Sequence, residues 1–485
     1  MPEKKKIVVV GGGVTGLAAA YYLNKQVQAE NLPYQVVLVE ASTRLGGKMQ
    51  TIHRDGFTIE RGPDSWLSSK TALADLASDV GLEDQLTYSK PAKSLICAKN
   101  KLFPLPDGVM FGMPTQFMPF MKSGLISPFG KLRVAMEPFI SKTKTDDDVA
   151  MGPFFRHRFG DELVDNLIEP LIAGLYASDL QKMSALSTFP DFFLHEQKHG
   201  SVIKGMRAGI KARATAQTKQ PQGEVAESRP KPTGMFGAIA SGLDSLATAI
   251  EANLSGVEMI KGTKVLEVNR LADDQYKLRL SSGDELLAAS VIVSTEHQVI
   301  PSMFSDQEFL QFLKEMPSNT MANVTFAYPE SAIKQDFDGG SFVVARTSDY
   351  NITACSWLHK KWSHVAPDGY ALLRAYIGKP GLANEAIVDL SDEELENIAL
   401  KDLAKHITLE GAPLFTVVSR WKASMPQYTV GHKTRIENMK QQAATELPGI
   451  FFASASFAGI GMADCVRQGK EATEKVLAFL SETAE

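Results

Sequence analysis

Gly11, Gly13 and Gly16 stand directly behind a run of valines, Val8-Val9-Val10, and ahead of a stretch with helical spacing. In that spacing the first glycine permits a tight strand-to-helix turn. The second lets a pyrophosphate approach the backbone, and the third lets helix and strand pack closely. With Gly12, Val14 and Thr15 they form a turn whose free amides and helix dipole suit an anion. A second strand pattern, Val36 to Val39, ends in Glu40, 24 residues after Gly16, followed by Ala41. A carboxylate there is placed to accept from a ribose hydroxyl, so the pattern reads as a dinucleotide site.

The far end of the chain carries a counterpart. Phe451-Phe452-Ala453 leads through Gly459-Ile460-Gly461 into a helix-like stretch from Asp464 onward. The amides of Gly461, Met462 and Ala463 would open that helix, where they could stabilise charge near the ring carbonyl of a reduced flavin. One nucleotide gripped by both ends of a long chain is how a large flavin protein holds FAD. Two further loops fit the same ligand. Arg44-Leu45-Gly46-Gly47-Lys48 sets glycines beside cations, and Glu60-Arg61-Gly62-Pro63-Asp64-Ser65 is a second turn with special backbone geometry. The first could also be a plain surface turn, and the second, just past it, is placed to run along the flavin.

These segments need a scaffold. Residues 5 to 40 read strand, turn, helix (Thr15 to Lys25), strand. A helix is expected over 70 to 90, ending near Gly81, and mostly helices from about 130 to 200. Lys211 to Pro232, rich in Lys, Arg, Gln, Thr and Pro, reads as an exposed connection. Ala238 to Ala252 returns to helix. Strand patterns follow at Lys264 to Asn269, Tyr276 to Leu280 and Ser290 to Ser294. More come at Asn323 to Tyr328, Gly340 to Ala345, Ile352 to Trp357 and Ala371 to Ile377, before a helix over Leu390 to Ile407. Strands without long intervening helices imply a mainly antiparallel sheet. The expected fold is α/β. A discontinuous Rossmann-like FAD domain is built from 1–70, 235–300 and 415–485, a helical domain from 71–234, and an antiparallel-sheet substrate domain from 301–414.

Length and composition set the outer limits. A chain of 485 residues exceeds one ordinary core, and 44% hydrophobic with 22% charged residues describes a globular protein. A formal net charge of -5 gives no basic footprint for nucleic acid. Cys97, Cys355 and Cys465 lie far apart without a C-x-x-C pair, and the nine histidines are scattered, so neither a disulfide framework nor a metal site is expected. No apolar run reaches the length of a signal or spanning helix, so the expected location is cytoplasmic. Between Val109 and Phe129, methionine and phenylalanine recur among prolines; such a segment suits either core packing or a membrane-surface patch.

Glu40-Ala41-Ser42-x-Arg44-Leu45-Gly46-Gly47-Lys48 together with Gly62-Pro63-Asp64-Ser65 resembles the FAD-dependent amine oxidase superfamily. Within it, Glu169-Pro170-Leu171-Ile172-Ala173-Gly174-Leu175-Tyr176-Ala177-Ser178-Asp179 and the run Ser456 to Cys465 resemble the porphyrinogen oxidases, most of all the Gram-positive type. That resemblance implies a six-electron oxidation of coproporphyrinogen III to coproporphyrin III in haem biosynthesis, with protoporphyrinogen IX as the alternative substrate. FAD would be held non-covalently and reoxidised by O₂ to give H₂O₂. It also implies peripheral contact with the inner face of the cell membrane, and downstream haem-pathway enzymes as partners. Site roles carried over are a lysine near Lys70 pairing with a substrate propionate, Tyr376 facing the flavin, and Trp421 packing beside it. Val265 would give backbone contacts to adenine, and Gly174, Leu175 and Tyr176 would line the substrate wall. A surface lysine and a core tyrosine or tryptophan are the competing readings. Lys70, Arg346 and Arg374 are the basic residues at hand for substrate carboxylates. The rival functions are another oxidase or desaturase of the superfamily and a flavin-binding scaffold.

Overall fold

A computed structural model describes residues 4–144, 147–176, 178–219, 233–335, 338–378 and 385–483. The chain forms two compact units, one of Met1–Ser89, Pro232–Pro317 and Lys433–Glu485, the other of Lys90–Lys231 and Ser318–His432.

The first unit is organised by a five-stranded parallel sheet in the order Glu258–Ile260, Tyr34–Val39, Lys5–Val10, Ser290–Val293, Ile450–Phe452. Its strands are apolar at nearly every position because both faces are covered. Ile7, Val9, Val36, Leu38 and Ile292 enter one core, and their neighbours Val8, Val10, Val37, Val39, Val291 and Val293 enter another. The first core is closed by the helices Val14–Ala29 and Met462–Glu482. Small residues let these two meet closely. A methyl group on Gly469 would fall 2.4 Å from the Thr15 carbonyl oxygen, and the Thr473 hydroxyl donates to the Ala19 carbonyl at 3.1 Å. The chain's two ends are thus joined in one layer.

The second unit contains a seven-stranded sheet in the order Phe415–Pro426, Ser318–Pro329, Tyr370–Ile377, Ile352–Trp357, Ser341–Val344, Ser94–Ala98, Lys101–Pro104. All neighbours are antiparallel except Ser341–Val344 with Ser94–Ala98, which run parallel. Helices between Phe117 and Lys219 form a separate apolar cluster rich in phenylalanine. That cluster encloses a charged centre. Arg158, Glu137 and Glu196 are fully buried together. Arg158 Nε lies 2.9 Å from Glu137 Oε1, and Nη1 lies 3.4 Å from Glu196.

Several expectations are corrected. Phe415–Pro426 is not part of the nucleotide unit: it pairs along Ser318–Pro329, so the last segment of that unit starts at Lys433. Residues 71–89 belong to the first unit, because Leu86–Tyr88 pairs with Phe236–Ile239, which pairs with Trp66–Leu67. Residues 301–317 also fall in the first unit, and the helical and sheet segments form one unit rather than two. Ala238 and Ile239 are strand; the helix begins only at Asp244, after Gly242 turns the chain with φ +90°. Lys211 to Lys219 continues the helix Val202–Lys219, as its alanine, lysine, arginine and glutamine content favours. Residues 220–232 of that stretch lie outside the described residues.

Candidate functional site

The glycine turn of the first unit is held from below. The Ser294 hydroxyl donates to the carbonyls of Val10 at 2.9 Å and Gly11 at 3.0 Å. It sits where a side chain on Gly11 would go: a Cβ there would be 2.8 Å from Ser294 Oγ, at φ +106°. Gly16 is tighter still, with a Cβ only 1.9 Å from the Gly11 carbonyl oxygen. Gly13 differs, because a Cβ there meets nothing within 4 Å. Gly13 is the N-cap of Val14–Ala29, with no side chain capping it, so the amides of that helix's first turn have no intrahelical acceptor. Val14 follows half-buried and Thr15 is buried.

Glu40 organises the adjoining loop. It accepts from the Gly12 amide at 2.5 Å and from the Ser42 amide and hydroxyl at 2.8 and 2.7 Å, while Ala41 between them is exposed. The Gly46 amide donates to the Gly12 carbonyl at 2.8 Å, laying the second glycine loop alongside the first. Gly47, with φ +56°, brings its own Cβ position within 3.1 Å of Gly13 Cα. Arg44 turns back onto its loop, donating to the carbonyls of Leu45 at 2.8 Å, Met49 at 3.1 Å and Gly47. These bonds shape the loop. Lys48 pairs with Glu296 at 2.9 Å. The Thr263 amide donates to the Glu40 backbone carbonyl at 3.0 Å, two residues before Val265 begins its strand. Gly62, Pro63, Asp64 and Ser65 are half-buried, and the Ser65 hydroxyl donates to Asp64 at 2.7 Å.

Gly461 caps the last helix, and Met462, Ala463 and Asp464 form its first turn. Lys70, expected beside the substrate, instead has its ammonium 2.6 Å from Asp464 Oδ2. Cys465 is buried, and that burial pushes its thiol up to about 11, which suppresses the thiolate needed for a covalent flavin bond. The sequence reading missed His297. It is buried and links Ser456 Oγ at 2.9 Å to the Met316 carbonyl at 2.9 Å, bracing the loop that enters the last helix. Only its partners, far along the chain, reveal it.

In the second unit Tyr376 is half-buried on Tyr370–Ile377, in register with Asn323 on one side and Ala354 on the other. Trp421 lies in register with Met321, in the sheet rather than in the nucleotide unit. Arg374 is 1% exposed and bonds Thr325 Oγ1 at 3.2 Å within the sheet. Arg346 is exposed, its Nε 2.7 Å from Glu169, and the Glu169 carboxyl is raised by burial against the opposing effect of that guanidinium. Gly174 is exposed in the helix Glu169–Tyr176; the side chains of Leu175 and Tyr176 lie outside the described residues. Among the described residues no group of three or more His, Cys, Asp or Glu side chains could hold a metal ion.

A parallel sheet closed by both chain ends, two helix openings whose N-cap glycines supply no side-chain cap and open space over Gly13 fit a dinucleotide with a flavin half. The chain matches the profile of the flavin-containing amine oxidoreductases over residues 14–477, and it belongs to that family. It is 45% identical over 477 residues to a coproporphyrinogen III oxidase of Bacillus subtilis, covering 98% of this chain and 99% of that one. A coproporphyrinogen III oxidase of Staphylococcus aureus is 40% identical, with 98% and 100% covered. A crystal structure from Exiguobacterium sp. 255-15, named provisionally as a protoporphyrinogen oxidase, superposes with a TM-score of 0.84 at 34% identity, covering 98% and 99%. The cofactor is FAD. Gly11 to Gly16 and Glu40 would hold its pyrophosphate and ribose, and the opening of the last helix its flavin half.

Proposed function

We propose that the chain is an oxygen-dependent FAD oxidase of haem biosynthesis that converts coproporphyrinogen III to coproporphyrin III. The observation that carries this is the 45% identity, end to end, with the Bacillus subtilis protein of that name. The flavin supplies hydride acceptance and reoxidation by O₂. The protein's share is to bind, orient and tune, and no acid–base dyad is required for it. Protoporphyrinogen IX is the second reading, favoured by the name of the Exiguobacterium structure at lower identity. Mixing with each porphyrinogen separates the readings: coproporphyrinogen III bleaches the flavin faster under anaerobic conditions and, in air, turns over with the higher kcat/KM and releases H₂O₂. A higher kcat/KM for protoporphyrinogen IX exchanges the two, and bleaching by a primary amine alone discards both.

We further infer that the helical part of the second unit meets membrane at the inner face of the cell. Most of the Val109 to Phe129 segment is core, with Met113, Phe120, Leu125 and Ile126 buried. Phe117, Met118 and Phe129 point outward, and the exposed apolar surface continues through Leu132, Met136 and Phe139. No helix among the described residues is long and apolar enough to cross a membrane, so the contact would be peripheral. The protein is expected to float with phosphatidylglycerol-containing vesicles, and Phe129→Ser with Phe139→Ser to release it. A parent protein that never floats rules the contact out.

A further inference from the structure

The Lys70–Asp464 pair is the feature of the first unit that the motif reading leaves unused. Lys70 follows the strand Trp66–Leu67, its amide bonded to the Leu67 carbonyl at 2.9 Å, and Asp464 stands in the first turn of the last helix. The two lie 394 positions apart in sequence. The lysine side chain is 46% exposed and the aspartate only 15%. The carboxylate is wedged against the loop that opens the helix. A methyl on Gly459 would come within 2.7 Å of the aspartate's Cβ and Cγ, and one on Gly461 within 3.1 Å of Oδ2. A fixed negative charge therefore occupies the turn whose amides present positive potential. An acid in a first helical turn stabilises the helix, but it cancels the field those amides offer to another anion. Lys70 restores that field.

Strand order indicates which half of the dinucleotide senses it. Glu40 ends the strand on one side of Lys5–Val10, whereas Ser290–Val293 and Ile450–Phe452, which lead toward the last helix, lie on the other. A dinucleotide laid across the carboxyl ends of these strands, with its ribose on Glu40, extends its flavin half toward that helix. Reduction gives the flavin negative charge, and a nearby uncompensated carboxylate opposes it.

We propose that Lys70 acts on the cofactor, raising the flavin's reduction potential by neutralising Asp464, and is not a ligand of substrate carboxylates. This rests on the flavin site of the first unit and not on the identity of the substrate. The test is the midpoint potential of the reconstituted holoenzyme, measured by dye equilibration, beside steady-state kinetics. Lys70→Met is expected to move the potential negative, Asp464→Asn to move it positive, and the double variant to return to the parent value, as does Lys70→Arg. In Lys70→Met the loss falls on kcat, with KM for coproporphyrinogen changing less than about twofold. Should Lys70→Met lose its flavin, Lys70→Gln gives the same comparison, with the negative shift expected and an unchanged potential overturning the proposal. Unchanged potentials in the single variants overturn the proposal, as does a KM raised about tenfold at the parent potential. The potentials need no substrate, so a protein inactive on porphyrinogens would still give this answer and the two failures stay distinct.

Discussion

A Gly13→Val protein is expected to fold as stably as the parent apoprotein and to carry no flavin. The backbone at Gly13, φ -72° and ψ 177°, is open to any residue, and a Cβ there touches nothing of the chain. The polypeptide alone therefore gives no reason for glycine. A pyrophosphate seated on the amides of the following turn does, because added methyl groups take up the space it must enter. Overpacking of about 3 kcal/mol corresponds to roughly a hundredfold weaker binding. Gly16→Ala is the contrast: its Cβ would overlap the Gly11 carbonyl, so the apoprotein itself loses stability. The readouts are the ratio of flavin to protein absorbance and the thermal midpoint of the apoprotein. Acid precipitation of the parent is expected to leave all FAD in the supernatant, in keeping with a buried Cys465. A yellow Gly13→Val protein with parental flavin content would remove the dinucleotide from this turn.

The second large effect is on stability. Arg158→Met is expected to cost about 3–5 kcal/mol, because two carboxylates keep their burial and lose their counter-charge. Arg158 also donates to the carbonyls of Ile140 at 3.0 Å, Ser141 at 3.2 Å and Gly200 at 3.0 Å, so several chain segments come loose together. Glu137 is already engaged by the Val202 amide at 2.9 Å and the Ser201 hydroxyl, and Glu196 by the Thr143 amide at 3.1 Å. Replacing all three charges by apolar residues of similar volume should recover much of the loss. The shift of the urea midpoint measures both. A shift below about 1 kcal/mol for Arg158→Met would mean that water reaches the site.

What the sequence made legible was local. The first glycine turn, its flanking strands and Glu40 are close together in the chain, and Gly16 answers to Gly11 only a few positions away, whereas Gly11 answers to the distant Ser294. Strand positions there followed from unbroken apolar runs, because a sheet covered on both faces, sending Val8 and Val9 to opposite cores, leaves no polar alternation to read. Pairings between distant residues were not legible. Gly469 is explained by Thr15, Lys70 by Asp464 and His297 by Ser456, and no short pattern announces any of them. Arg374 was open for a related reason: the sequence offers it beside Lys70 and Arg346 without showing its neighbours, and in the sheet its Nε bonds Thr325. Phe415–Pro426 was assigned by its nearness to the last segment, whereas strand pairing decides where it belongs.

The closure of the opening helix by the final one has a consequence for biogenesis. Gly469 and Thr473 are synthesised long after Val14–Ala29, and until they emerge the face of that helix which they cover has no lid. The N-terminal turn is made first but cannot work alone. Capture of the coenzyme must therefore wait until the final helix has emerged, and a polypeptide that stops short of it leaves that face uncovered.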